Sequence, residues 1–178
     1  GNADYNINRK NPDIKFFELG KIYHKFEKYE ERKQLALLTT GRTYAENWLM
    51  PKSASDFYML KGYVKVLLDR LNLVTEEKSL EDERFGDALE ITANGKTIAR
   101  LGKVSPKLLK EFDIDQDCFY AEIELETCQA LRKTDNFKFV DIPKFNKIRR
   151  DLALLVDKNV YYADLYASAR KNKSKFLK

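Results

Sequence analysis

Ala88-Leu89-Glu90-Ile91-Thr92-Ala93-Asn94-Gly95-Lys96-Thr97-Ile98-Ala99-Arg100-Leu101 is the stretch whose reading decides the fold. Two runs of strand-forming residues flank Asn94-Gly95, a pair whose tolerance of positive φ suits a tight type I′ turn, so the stretch predicts an antiparallel hairpin. Downstream, Ala121, Ile123 and Leu125 alternate with Glu122, Glu124 and Glu126. Successive strand residues point to opposite faces, which predicts one buried face and one acidic face. Upstream, Phe16 to Tyr23 and Gln34 to Thr39 are dense in aromatic and aliphatic residues and read as two more strands, with the charged stretch Lys25 to Lys33 as a solvated hairpin loop. The segments show no regular βαβ alternation. They predict an α+β fold: an antiparallel sheet with flanking helices.

The helices announce themselves by spacing. Phe57, Leu60, Val64, Leu67, Leu68 and Leu71 recur at helical intervals, with Lys61, Lys65 and Asp69 on the opposite side. Val64, Leu67 and Leu68 are the expected buried stripe, and Ser55 or Asp56 the expected N-cap. Gly62 inside this helix costs about 1 kcal/mol relative to Ala, which predicts that something packs closely against it. Ser105-Pro106 opens a shorter helix through Phe112, with Ser as N-cap and Pro in the first turn, where its missing N–H costs nothing.

Composition bounds the rest. The 178 residues are 43% hydrophobic and 34% charged, which excludes a collagenous or wholly disordered chain and predicts one core with an appendage. The longest apolar run, Leu152 to Val156, falls far short of the roughly 18–20 residues of a membrane-spanning helix, and the polar N-terminus has no signal-peptide core. A soluble, cytoplasmic protein is expected, and Gly1 in place of Met reads as the start of an excised fragment. Cys118 opens an extended strand leading toward Cys128, so the two thiols are expected to be far apart, reduced and buried. His24 is the single His in the chain. It reads as an ordinary strand-end residue, and neither a His/Cys zinc site nor a Ser-His-Asp mechanism has support.

Charge divides the chain. Residues 141–178 hold 10 Lys+Arg against 4 Asp+Glu, a net of +6 out of the chain's +5, which leaves residues 1–140 at −1. The shift falls at Asp141-Ile142-Pro143, where Pro after a β-branched residue favours an extended linker, so a domain boundary is placed near residue 141. Beyond it, Asp151 to Asp157 reads as a buried strand and Tyr161 to about Lys171 as a helix. One strand and one helix in about 38 residues cannot close a core.

Little catalytic chemistry is present. The glycines lie at 1, 20, 41, 62, 86, 95 and 102, so no G-x-G exists, and with it go the dinucleotide fingerprint, the kinase loop and the P-loop. Acidic clusters such as Asp113 to Asp117 lack calcium-loop spacing and read as charged loops. Catalytic, cofactor and metal residues are therefore predicted to be none. The one constellation suited to phosphate is basic: Lys144, Lys147, Arg149 and Arg150, followed by Arg170 and the lysines to Lys178. Such charge releases counterions from nucleic acid, and these four residues are the candidate nucleic-acid contacts.

Five segments carry a resemblance. They are Phe17-Glu18-Leu19-Gly20-Lys21; Gly41 to Trp48; Asp56-Phe57-Tyr58-Met59-Leu60-Lys61-Gly62; Gly102-Lys103-Val104-Ser105-Pro106; and Pro143-Lys144-Phe145-Asn146-Lys147-Ile148-Arg149-Arg150-Asp151-Leu152-Ala153. In this order and spacing they resemble the C-terminal half of the bacterial phenylalanyl-tRNA synthetase β subunit family. The resemblance implies that residues 1–140 form a non-catalytic module like the class II synthetase core, and that residues 141–178 begin a truncated ferredoxin-like anticodon-binding domain. It also implies a structural role beside the α subunit and tRNA(Phe), in a parent ligase that uses ATP and magnesium, with no cofactor in this fragment. Departures from the family pattern stand at Glu83 to Ala88, at Ser105 where His is common, and at Asn146 where a second Pro is usual. Two other readings compete: a self-sufficient adenylating or biotin/lipoate-ligase-like enzyme, and a generic RNA-binding accessory domain. The first needs a glycine-rich substrate loop that is missing, and the second a basic surface on a segment that is near neutral.

Overall fold

The computed structural model describes residues 2–9, 11–25, 29–45, 47–49, 51–132, 149 and 151–172. It divides into two units, Gly1–Asn136 and Phe137–Lys178. The first contains a short helix α1 (Asn2–Asn8), strands β1 (Ile14–Lys25) and β2 (Tyr29–Thr40), helix α2 (Phe57–Arg70), strands β3 (Glu76–Leu80), β4 (Phe85–Ala93) and β5 (Lys96–Val104), helix α3 (Pro106–Glu111), strand β6 (Cys118–Glu124) and helix α4 (Leu125–Leu131). The strands form one sheet in the order β1-β2-β6-β5-β4-β3, and every neighbouring pair is antiparallel. The expected antiparallel sheet with flanking helices is what the chain builds.

Local chemistry explains the joints. Asn94 and Gly95 have φ of 49° and 73°, the two positive values that a type I′ turn requires. Gly41 turns the chain out of β2 at φ 76°, where a Cβ would lie 2.3 Å from the Pro12 carbonyl oxygen. Asp56 caps α2 by accepting from the Met59 N–H at 2.7 Å, and Ser105 caps α3 by accepting from the Leu108 N–H at 3.4 Å.

One face of the sheet is sealed by α2. Leu60, Val64 and Leu68 pack with Ile91, Ala99, Leu101, Ala121, Ile123 and Cys128 in a single apolar cluster. Leu67, expected in the buried stripe, is 38% exposed whereas Leu60 is fully buried, so the stripe follows the 60-64-68 ridge and Leu67 lies at its margin. Gly62 has nothing within 4 Å of where its Cβ would be, which overturns the expectation of close packing there. The helix simply tolerates it.

The first hairpin is longer than its sequence implies. β1 and β2 pair from Ile14↔Thr40 to Lys25↔Tyr29, so most of the supposed charged loop is strand. Charged side chains suit an exposed edge strand, and Lys21 meets Glu31 across the pair at 2.6 Å. His24 is the penultimate residue of β1. β6 ends at Glu124 and Leu125 starts α4, so the chain between Cys118 and Cys128 is not the continuous strand expected. Both thiols are nevertheless free and buried. Burial pushes the Cys118 thiol up, and that of Cys128 to about 11.

In the second unit, helix α5 (Tyr162–Lys171) forms close to its predicted limits. Residues 151–157 form no strand, and Leu152 and Leu155 are 82% and 103% exposed. A strand needs a partner for its N–H and C=O groups, and these residues have none to pair with among those described. No helix of the described residues is long and apolar enough to cross a membrane.

Candidate functional site

The face of the sheet turned away from α2 is the one available for function. The pairing register sets its side chains in rungs: Phe16, Leu38, Tyr120 and Gly102 form one, and Glu18, Ala36, Glu122, Arg100 and Glu90 the next. Alternation along β6 was expected to leave Glu122 on a solvated acidic face. Instead Glu122 is 8% exposed. A carboxylate at that depth needs charged partners, and two arginines supply them.

Arg84 comes from the turn between β3 and β4. It grips Glu122 with both terminal nitrogens, Nη1 to Oε2 and Nη2 to Oε1, each at 3.0 Å. The same guanidinium donates from Nε to both oxygens of Asp82 at 3.1 Å and from Nη2 to Asp82 Oδ2 at 2.7 Å. The Arg84 backbone N–H closes the turn on Asp82 Oδ1 at 2.9 Å, and the Arg84 carbonyl accepts from the Ser105 N–H at 2.8 Å. Arg100, on β5, lies 3.6 Å from Glu122 and 3.4 Å from Glu90. Thr97 completes the network by donating to Glu90 at 3.0 Å.

Two of these groups titrate away from their ordinary values. Hydrogen bonds from Arg84 hold the Asp82 carboxyl down at about 2, and donating to Asp82 and Glu122 raises the Arg84 guanidinium above its ordinary value. Burial, aided by Glu122, pushes the Tyr120 phenol up. Chemically, the cluster is a closed ion-pair network of two cations and three anions. Arg84 is hydrogen-bonded to two carboxylates and Arg100 lies within ion-pair distance of Glu90 and Glu122, so an incoming phosphate would compete with carboxylates for both.

Packing keeps the turn over this face. The Phe85 ring stacks on Tyr120 with centroids 6.3 Å apart. A Cβ on Gly102 would come within 2.7 Å of the Phe85 ring and 2.5 Å of the Asp87 carbonyl oxygen, so glycine is needed for the close approach. Beside the cluster, the same face opens into a groove of about 1000 Å³. Residues of α1, β1, β2, β5, α3 and β6 line it.

Of the four predicted nucleic-acid contacts, Lys144, Lys147 and Arg150 lie outside the described residues. Arg149 is exposed and 3.5 Å from Asp151. Among the described residues no three His, Cys, Asp or Glu side chains come together as a metal site. The Arg84 cluster was missed at the level of sequence. Its elements lie 38 residues apart, and Glu122, in step with Glu124 along β6, reads as part of a solvated acidic face.

Residues 1–125 match the family described as the phenylalanyl tRNA synthetase beta chain CLM domain. Phenylalanine–tRNA ligase beta subunit of Bacteroides thetaiotaomicron is 37% identical over 188 residues, covering 98% of this chain and 23% of that protein. The subunit of the same name from Bacillus subtilis is 31% identical over 183 residues, covering 99% and 22%. The chain thus spans less than a quarter of the length of these relatives. Among solved structures, pyrrolysyl-tRNA synthetase from Desulfitobacterium hafniense superposes with a TM-score of 0.54 at 15% identity, over 73% of this chain and 46% of that one, a likeness of fold alone. The chain belongs to the phenylalanyl-tRNA synthetase beta chain family.

Proposed function

We propose that this family member is a structural, non-catalytic part of the β subunit of a phenylalanine–tRNA ligase, supporting assembly with the α subunit and binding of tRNA(Phe). Residues 1–140 serve as a class II core-like module without its chemistry, and residues 141–178 as the start of a ferredoxin-like anticodon-binding domain. The parent complex charges tRNA in the cytoplasm with ATP and magnesium. Lys144, Lys147, Arg149 and Arg150 contribute phosphate contacts, which position a nucleic acid without reading its sequence.

The observation that carries this reading is the state of the two arginines. Arg84 is bidentate to Glu122 and also bound to Asp82, while Arg100 lies between Glu122 and Glu90. A nucleotide triphosphate would have to break these pairs to gain a cation. Nor do the carboxylates fit magnesium, since Asp82, Glu90 and Glu122 all face guanidinium groups. Family membership favours this reading over the biotin/lipoate-ligase-like enzyme and the generic RNA-binding domain.

Isothermal titration with ATP and magnesium should give no saturable heat. Binding tighter than about 100 μM would overturn the non-catalytic reading. Co-expression with the α subunit of the same ligase should yield a co-purifying complex, and failure to form one at low salt would remove the assembly role.

A further inference from the structure

The β1 edge of the sheet is open. β1 runs for 12 residues and pairs on one side with β2, while its other side has no partner strand among the described residues. An edge strand turns the N–H and C=O groups of alternate residues outward, where another strand can pair with them. Beside those groups stands an apolar row. Phe17, Leu19 and Tyr23 share one face by alternation and are 77%, 62% and 65% exposed. In the register they lie next to Leu37, Leu35 and Glu31 of β2, and Leu37 and Leu35 pack against the α2 core. The row therefore continues the core face past its last covered strand. Lys15, Glu18 and Lys21 punctuate the same strand, and charges on an edge normally deter pairing. Here their spacing selects one register instead of forbidding all.

We propose that β1 is a docking edge for a second copy of this chain, the two β1 strands pairing antiparallel about a two-fold axis through Leu19. Residues directly opposite each other in a sheet share a face, so such an axis passes through a residue, and charge decides which one. An axis at Glu18 sets Glu18 against itself and Lys15 against Lys21; one at Gly20 sets Lys15 against Lys25; one at Lys21 sets that lysine against itself. Each of these costs like-charge repulsion. With the axis at Leu19, no like charges are directly opposed. Leu19 then meets Leu19, Phe16 meets Ile22 and Glu18 meets Gly20. Phe17 meets the stem of Lys21, whose ammonium stays on Glu31, and Tyr23 meets the stem of Lys15, whose ammonium is held by the Thr43 carbonyl. Two six-stranded sheets become one, with both α2 layers on the same side. This inference stands apart from the subunit role, because it needs neither the α subunit nor tRNA.

Sedimentation velocity of the whole chain over about 1–300 μM tests it. One strand per partner buries less than the roughly 1,200 Å² at which standard interfaces begin, so a reversible dimer with a dissociation constant of about 10–100 μM is expected. Leu19→Lys and Leu19→Glu should each weaken it about tenfold, through the lost apolar pair and the like charges that replace it on the axis. Neither should change the melting temperature, because Leu19 is exposed. An equimolar mixture of the two variants should recover the dimer, since Lys then faces Glu. Val66→Lys, on the exposed side of α2, should leave the constant unchanged. Pulsed dipolar spectroscopy reads the register: Tyr23 stands opposite Lys15 of the second copy, so nitroxides at Tyr23→Cys should be separated by eight residues of strand, about 27 Å. Cys118 and Cys128 are buried and leave the label selective. A chain that stays monomeric at about 300 μM would overturn the proposal. So would a dimer unaffected by Leu19→Lys, a mixture no stronger than its components, or a Tyr23 spacing below about 20 Å.

Discussion

Replacing Arg84 by Ala tests whether the ion-pair network holds the second face of the sheet together. The substitution removes two hydrogen bonds of 3.0 Å from Glu122 and leaves it, among the described residues, Arg100 at 3.6 Å. For a fully exposed pair the loss is about 0–1 kcal/mol, and for a fully buried one about 3–5 kcal/mol. Here the Glu122 side chain is 10% exposed and that of Arg84 45%, so the geometry lies between these limits, and the expected loss is about 2 kcal/mol. Urea unfolding of the wild type, Arg84→Ala, Glu122→Gln and the double variant forms a cycle that isolates the pair, with an expected coupling of about 1–2 kcal/mol. Acid supplies an independent readout. The folded Asp82 carboxyl titrates at about 2, below its ordinary 3.8, so the stability it contributes is present above about pH 4 and is lost as pH falls toward 2. That acid limb should shrink in Arg84→Ala. A loss below about 0.5 kcal/mol with no coupling would show that the cluster is an inconsequential surface arrangement.

Three further outcomes follow from packing. In α2, Leu60→Ala should cost about 2–5 kcal/mol, Leu67→Ala clearly less because it is 38% exposed, and Lys65→Ala under about 0.5 kcal/mol by the same urea assay. Gly62→Ala should raise the stability by about 0.4–1 kcal/mol, because the site is open and helical, whereas Gly102→Ala should lower it by about 1–3 kcal/mol against Phe85 and Asp87; thermal melts separate the two. Limited trypsin digestion should remove the basic C-terminal segment first, leaving a product that ends near Arg149 or earlier and melts with the parent. A drop of several degrees on its removal would place that segment in the first core.

What the sequence disclosed depended on the range of the interaction that makes each element. The Asn94-Gly95 turn, the Asp56 and Ser105 caps and the spacing of Leu60, Val64 and Leu68 are written within a few residues, and all were legible. The ends of the first hairpin were not. Charge from Lys25 to Lys33 reads as a loop in isolation, but an edge strand accepts charge, and the full-length pairing of β1 with β2 overrides local composition. β3 (Glu76–Leu80) escaped notice for the same reason: it is a polar strand at the far edge, mostly exposed. The candidate site was least legible. Its central contact joins Arg84 and Glu122, and nothing in the spacing of an arginine in a turn and a glutamate in a strand marks them as partners.

On the proposed non-catalytic reading, the same contact accounts for a synthetase-like fold that serves without synthetase chemistry. An antiparallel sheet needs only one face buried to be stable, and α2 with its Leu60-Val64-Leu68 ridge provides that. The other face is also partly buried, through Ile14, Ala88, Val104 and Cys118, but it lies outside the α2 cluster and accommodates polar groups. In this chain that face is self-contained: the turn from Asp82 to Gly86 lies on it, Phe85 stacks on Tyr120 across Gly102, and Arg84 spends its hydrogen bonds on Asp82 and Glu122. Such a face gains conformational definition from groups that a catalytic site would hold ready for substrate. On the same reading, giving this face nucleotide binding would require removing Glu122 as well as supplying a phosphate cradle, since an added cation alone would meet a carboxylate before it met a ligand.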